Sequence, residues 1–421
     1  MLRRTAITAA TALAFTLAAP LAAQSPEEIA EAALEAAPVW DGHNDVPIQL
    51  RSRVGNAIGE FDFEHTGHTK TDTRSAMHTD LARLKAGRVG AQWWSVYVSA
   101  SLDEPEAVQM TIEQIDVTKR LIARYPSEMT LALSADDVEA AMAEGRIAGL
   151  LGMEGGHSIG SSLAVLRQMY DLGARYMTLT HSRNTPWADS STDAPEHDGL
   201  TEFGKDLVRE MNRIGMVVDL SHVSEATMND ALDVTRAPVI FSHSSARAIN
   251  GHARNVPDAV LRRLVENRGI IMVTAVPGFL SEEARVWNAN RDAEEARLEA
   301  LWQGQPEAVA AGLTAWDEAN PYPPADIGDM AAHIDHVRKI AGIDAIGIGG
   351  DYDGIPFAPE GLEDVSTYPA LFTELARRGY SQDDLEKISS RNMMRVMREV
   401  EATKAAMADV PPYEYSTNEE R

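Results

Sequence analysis

Cysteine is absent from this chain of 421 residues. That absence excludes disulfides, thiolate nucleophiles, zinc–thiolate sites and acylation of a lipoprotein cysteine. Basic residues are also scarce: 38 Lys and Arg stand against 64 Asp and Glu, for a formal net charge of −26. A phosphate-binding surface needs clustered Lys and Arg, so nucleic acid is excluded as a partner and the acidity is read as serving solubility. Beyond the first residues no apolar run is long enough to cross a bilayer. The polar end Ser416-Thr417-Asn418-Glu419-Glu420-Arg421 carries no attachment signal, so no stable membrane anchor is expected. No short sequence repeat is visible.

What is present begins with Met1-Leu2-Arg3-Arg4, an alanine- and leucine-rich stretch through Leu17, and small residues up to Gln24. A charged start, a short apolar middle and a small-residue exit predict a secretory signal over 1–23, cleaved after about Ala23. A signal peptide without disulfides points to a soluble periplasmic protein, with secretion into the medium as the alternative. The remainder, 24–421, is expected to form one large catalytic domain.

Along that remainder, short apolar runs alternate with amphipathic helical segments. The strand-like runs lie at Val39–Val46, Gly90–Val98, Ile147–Met153, Tyr176–His181, Met216–His222, Pro238–His243, Ile270–Thr274 and Ala345–Asp351, with a shorter apolar piece at Met129–Leu133. About eight principal strands, most followed by a helix, predict an α/β fold: a parallel sheet closed into a (β/α)8 TIM barrel. An open doubly wound sheet is the competing arrangement. An acidic, alanine-rich helical insertion, about 281–324, precedes the last strand.

The strand at Val39-Trp40-Asp41-Gly42-His43-Asn44-Asp45 points His43 and Asp45 to one face, where an imidazole and a carboxylate could hold one metal ion. Alone, this pair is as well explained by a core histidine beside a turn aspartate. However, Glu154, His181, His222, His243 and Asp351 also fall at strand C-terminal ends. A closed barrel gathers those ends at one mouth, whereas an open sheet spreads them along a crevice. His43, Asp45, Glu154, His222 and His243 supply N and O donors suited to zinc. A pair of ions fits this set better than one. If Glu154 bridges, His43 and Asp45 serve one ion, His222 and His243 the other, leaving room for a shared hydroxide.

These segments also resemble a known family. Asp41–Asp45, Gly90–Tyr97, Glu154-Gly155-Gly156-His157-Ser158, Leu179–Asp189, Asp219-Leu220-Ser221-His222, Ser242–Ala246, Arg254–Asp258 and Gly349–Gly354 resemble the membrane (renal) dipeptidases, dinuclear zinc peptidases among the amidohydrolase-like barrels. The resemblance implies two Zn2+ per subunit, one held by His43, Asp45 and Glu154, the second by Glu154, His222 and His243. It implies that Asp351 handles the proton of the attacking water, His181 contacts the tetrahedral intermediate, and Arg254 holds the substrate's terminal carboxylate. It further implies a dipeptide substrate, tolerance of a D residue at its second position, opening of carbapenem-type lactams, and a homodimer, here without a disulfide link.

Plainer readings compete for several of these residues. Asp351 can be read as a metal ligand, His181 as support for the ligands, and Arg254 as a tie for the loop before a helix. Asp353 is expected to complete a glycine-flanked turn, and His157 to pack or brace a neighbour. His65, His68, His78, His197, His252, His333 and His336 are expected to be surface or capping residues. On their strand Trp93 and Tyr97 share one face and Trp94 takes the other, with core packing the default for all three. The function expected is a zinc dipeptidase. The alternatives are another amidohydrolase, such as an N-acyl amino acid deacylase or a lactonase, or an exported zinc-binding protein, which would not need Asp351 or Arg254 at the rim.

Overall fold

A computed structural model describes residues 24–415 of the chain, so the expected signal segment and the last six residues lie outside the described residues. Every strand pairing within them is parallel, and strands buried on both faces read as nearly continuous apolar runs. The strands are β1 (Val39–Asn44), β2 (Val89–Ser95), β3 (Met129–Leu131), β4 (Ile147–Glu154), β5 (Ala174–Thr178), β6 (Val217–Asp219), β7 (Ile240–Phe241), β8 (Ile270–Val273) and β9 (Ile346–Ile348). Their order is β2-β1-β9-β8-β7-β6-β5-β4, and β2 pairs with β4 to close the ring. The result is an eight-stranded (β/α)8 barrel.

The short β3 stands outside the ring. It pairs with Ile147–Gly149 of β4, while the later residues Leu151–Glu154 pair with β5. Side-chain alternation then sorts the aromatics. Trp93 points into the barrel, its ring 6.2 Å from Trp40 and 4.9 Å from Tyr176, whereas Trp94 faces outward against Phe63. Helix Asn392–Ala406 adds Met393, Val396 and Met397 to the interior cluster.

Three local features depart from the sequence reading. The strand-like run read through Val46 ends at Asn44, and helix Val46–Val54 begins there instead, because Pro47 sits in its first turn, where no amide hydrogen is needed, and left-handed Gly55 ends it. A further helix, Pro26–Ala36, starts at a capping box made by Ser25 and Glu28. His333 is not a surface residue. It is fully buried in helix Ile327–Ala341, where Nδ1 accepts from the Ala246 amide (3.0 Å) and Nε2 donates to the Leu280 carbonyl (3.0 Å). Burial holds its pKa down to about 4, so the neutral ring ties two rim loops together.

The insertion before β9 consists of helices Glu282–Leu301 and Pro306–Ala319, joined by Arg291 to Asp317. No helix among the described residues is long and apolar enough to cross a membrane.

Candidate metal centre

The C-terminal ends of the strands converge as a closed barrel requires. Glu154 ends β4, Asp45 follows β1, His243 lies two residues past β7, and His222 and Asp351 lie three past β6 and β9. His222 and Asp351 adopt left-handed backbones, with φ of 68° and 61°. For non-glycine residues this conformation is strained, and it persists where surrounding bonds over-determine it. The Ser191 amide donates to the His222 carbonyl (2.7 Å), and the Asp351 amide to the His43 carbonyl (3.1 Å).

Glu154 stands between two donor sets, one facing each carboxylate oxygen. On the Oε2 side, His43 Nε2 is 3.3 Å away, and the same nitrogen lies 3.5 Å from Asp45 Oδ2. On the Oε1 side are His222 Nε2 at 3.1 Å and His243 Nε2 at 3.4 Å, with those two nitrogens 3.0 Å apart. Two donors about 2.0 Å from one tetrahedral zinc stand roughly 3.3 Å apart, so this spacing fits a shared ion on each side. Buried polar atoms otherwise need partners, yet His43 Nε2 and Asp45 Oδ1 have no hydrogen-bond partner. The residues present therefore fit a metal. His181 Nε2 also approaches Glu154 Oε1 (3.6 Å), and Asp351 Oδ1 is 4.0 Å from His43 Nε2, farther than either Asp45 or Glu154.

Electrostatics agree with the geometry. Burial disfavours charge on His43, yet Tyr176, Glu154 and Asp45 raise its pKa well above the usual histidine range. Burial and the charge of Arg254 hold His222 well below that range; burial and His43 do the same to His243. Burial works to raise Glu154, but His43, His222 and His243 outweigh it and keep the carboxylate ionised. The pocket is thus a place where positive charge is stabilised, by a proton on His43 or by a cation in its place.

Supporting residues orient these donors. His43 Nδ1 meets the Tyr176 hydroxyl (2.8 Å), and His243 Nδ1 meets Ser242 Oγ (2.9 Å), which donates to Asp219 Oδ2 (2.6 Å). Asp219 also accepts the amides of Ser221 and Ser242, and Ser95 Oγ donates to Glu154 Oε2 (3.0 Å). Asp41 accepts from the Gly350 amide (2.8 Å) and the Tyr368 hydroxyl (2.7 Å), binding β1 to the loop that carries Asp351. Tyr176, Asp219, Ser242, Ser95 and Asp41 were given no role on sequence grounds. One signal was available, because Asp41 stands two residues before His43, on its face of the strand.

At the rim, Arg254 is buried, donating to the His243 carbonyl (3.2 Å) and Ser244 Oγ (3.3 Å) while its Nε has no partner. Among the described residues no carboxylate forms an ion pair with it. Burial lowers its pKa to about 10, which leaves an unpaired cation at neutral pH. Burial, with Asp45 and Glu154 nearby, raises Asp351 well above the carboxylate range. Gly354 packs so tightly here that an added Cβ would stand 2.1 Å from Asp45 Oδ2 and 2.6 Å from Asp351 Oδ1, so a side chain there would displace both carboxylates.

The remaining candidates hold the mouth in shape. The Asp353 carboxylate accepts the His78 amide (2.8 Å) and its own amide donates to His78 Nδ1 (3.1 Å), as a turn residue would. His157 Nε2 meets the Val98 carbonyl (3.1 Å), and the Tyr97 ring lies 4.7 Å from that of His181.

Imidazoles and carboxylates gathered at the mouth of such a barrel define a metal-dependent hydrolase. The membrane dipeptidase family (peptidase family M19) matches the chain over residues 27–410, and the chain belongs to that family. It is a metallo-dipeptidase. The dipeptidase tcpJ of Claviceps purpurea (strain 20.1) is 41% identical over 381 residues, covering 88% of this chain and 79% of the relative. Among solved structures, the probable dipeptidase PvdM from Pseudomonas aeruginosa superposes with a TM-score of 0.76 at 24% identity, over 90% of this chain and 99% of that one. A metallo peptidase from Rhodobacter sphaeroides, liganded with a phosphinate mimic of the dipeptide L-Ala-D-Ala, gives 0.69 at 23% identity over 86% and 99%. These two establish likeness of fold.

Proposed function

We propose that the protein is a dinuclear zinc dipeptidase of the periplasm or external medium that cleaves the single amide bond of dipeptides with a free C-terminal carboxylate. The observation that carries this reading is the division of donors around Glu154, with His43 and Asp45 facing one oxygen and His222 and His243 facing the other. Two bound zinc ions would acidify a shared water and polarise the scissile carbonyl. Everything else falls to the chain's own groups.

Arg254, a buried cation without a carboxylate partner, holds the substrate's terminus and sets the distance from it to the bond cleaved. Asp351 Oδ1 takes the proton released when water attacks and returns it to the departing amine nitrogen. Burial raises its pKa from the usual carboxylate value, which favours its keeping a proton between those two steps. His181, partly exposed beside Glu154, donates from Nε2 to the oxygen that gains charge. Acceptance of a D residue at the second position is supported by family membership and by the L-Ala-D-Ala mimic held by the Rhodobacter sphaeroides structure.

The test compares L-Ala-D-Ala, L-Ala-L-Ala and N-acetylalanine with the zinc-loaded enzyme. Both dipeptides are expected to be cleaved and N-acetylalanine spared. Preferred cleavage of N-acetylalanine would make the protein a deacylase instead.

A further inference from the structure

Three consecutive carbonyls after β8 each accept a bond from a buried side chain of another segment. They belong to the one-turn helix Pro277–Leu280, whose last carbonyls find no partner within so short a helix. The Gly278 carbonyl takes Asn250 Nδ2 (3.1 Å), that of Phe279 takes Asn255 Nδ2 (2.8 Å), and that of Leu280 takes His333 Nε2 (3.0 Å). All three donors are fully buried. Asn250 and Asn255 lie on the loop after β7 that carries His243 and Arg254, and His333 holds the Ala246 amide of the same loop.

Asn255 is the centre of this stitching. Its Oδ1 accepts from the Ser245 amide (3.2 Å), while Nδ2 donates to the Asn250 carbonyl (2.9 Å) as well as to that of Phe279. One side-chain amide thus joins the exit of β7, the body of the loop and the exit of β8, using its acceptor and both of its donors, which an ionised aspartate or a leucine cannot supply. The Val256 amide closes the base of the loop on the Ser245 carbonyl (2.7 Å). Arg254, one residue earlier, is held less firmly. Its bonds to the His243 carbonyl and Ser244 Oγ, at 3.2 and 3.3 Å, are long for a charged donor, and its Nε has no partner. Its guanidinium lies 5.4 Å from the ring centroid of Phe279, the residue whose carbonyl Asn255 grips. The aim of the guanidinium therefore depends on the backbone that Asn255 fixes. A dipeptide has a set span from its carboxylate to the bond cleaved, and a misplacement of about 1 Å is enough to cost about 100-fold in rate.

We infer that Asn255 is a positioning residue: by lashing Ser245, Asn250 and Phe279 together it sets the distance between Arg254 and His243, and with it the demand for a carboxylate one residue beyond the cleaved bond. The inference rests on Arg254 being the carboxylate anchor.

Steady-state kinetics of the full-length zinc-loaded enzyme on L-Ala-L-Ala test it. Asn255→Ala is expected to raise KM at least about tenfold, with kcat within about threefold of the wild type and zinc content unchanged. Asn255→Asp, which keeps the size and the Ser245 contact but loses both donations, is expected to shift KM the same way, so the outcome does not hang on one variant folding. Added to Arg254→Ala, Asn255→Ala is expected to change kcat/KM by less than about twofold, because no guanidinium is left to aim. An unchanged KM in both Asn255 variants, loss of zinc or of kcat in step with the rise in KM, or a further loss of full size on top of Arg254→Ala makes Asn255 a structural residue. Each of these overturns the inference and leaves the dipeptidase reading standing. An Arg254→Ala enzyme with the KM of the wild type overturns the carboxylate anchor itself, and this inference with it.

Discussion

The two sides of Glu154 hold their donors in opposite states. Around His43 stand Tyr176 and the carboxylates of Glu154 and Asp45, which outweigh burial and favour positive charge on that ring. His222 and His243 share a single Glu154 oxygen and feel the positive charge of Arg254, so burial keeps both neutral. Burial is common to all three imidazoles, and the charges that face each ring decide which is charged. One half is therefore anionic and binds a cation in competition with a proton. The other offers neutral lone pairs ready for metal.

The strongest way to break this comparison is to remove the group common to both halves. Glu154→Gln is expected to lower kcat/KM by about 10⁴-fold and to reduce bound metal below two per chain, read by mass spectrometry of metal content. Asp351→Asn, which touches only the anionic half, is expected to cost about 10²- to 10⁴-fold in kcat while leaving metal content nearly intact. Supporting groups should separate the halves further. Tyr176→Phe is expected to weaken the ion beside His43, and Ser242→Ala the ion beside His243, each by about 10- to 100-fold in a chelator competition, with little effect across Glu154.

Protons sharpen the contrast with the smallest signal. His43 in the metal-free protein is raised above the usual range while His222 and His243 are held below it, so metal loading is expected to expel protons from the His43 half and not from the other. Calorimetric titration in buffers of different ionisation heat measures that release. In the metal-free protein the raised His43 stabilises the fold below the unfolded-state histidine value, and that contribution fades as pH rises through its higher folded value. His222 and His243 act the other way. The unfolded chain takes up their protons first, so their contribution is lost as pH falls below about 6.5.

Much of this arrangement could be read from the chain, for an identifiable reason. Strands buried on both faces are nearly uniform in hydropathy, so a polar residue at the exit of an apolar run stands out, and Glu154, His222, His243 and Asp351 each do. What could not be read depends on neighbours distant in sequence. Tyr176 looks like an ordinary strand aromatic until the closed ring brings its hydroxyl to His43, 133 positions away. His333 sits on an amphipathic helix and looks exposed until Ala246 and Leu280 arrive from two other loops. The helix opening at Val46 was hidden because Pro47 signals a break in strand and helix interiors alike, yet is welcome in a helix's first turn. Nothing local in Met129–Leu131 distinguishes a strand of the ring from one beside it. That depends on how β4 divides its partners.

The central claim is that Glu154 parts two metal positions. Diffraction from crystals of the zinc-loaded protein on either side of the zinc absorption edge tests it most directly. The account predicts two anomalous peaks, one beside His43 and Asp45 and one beside His222 and His243, with Glu154 between them. A single peak, or peaks away from these side chains, would contradict it.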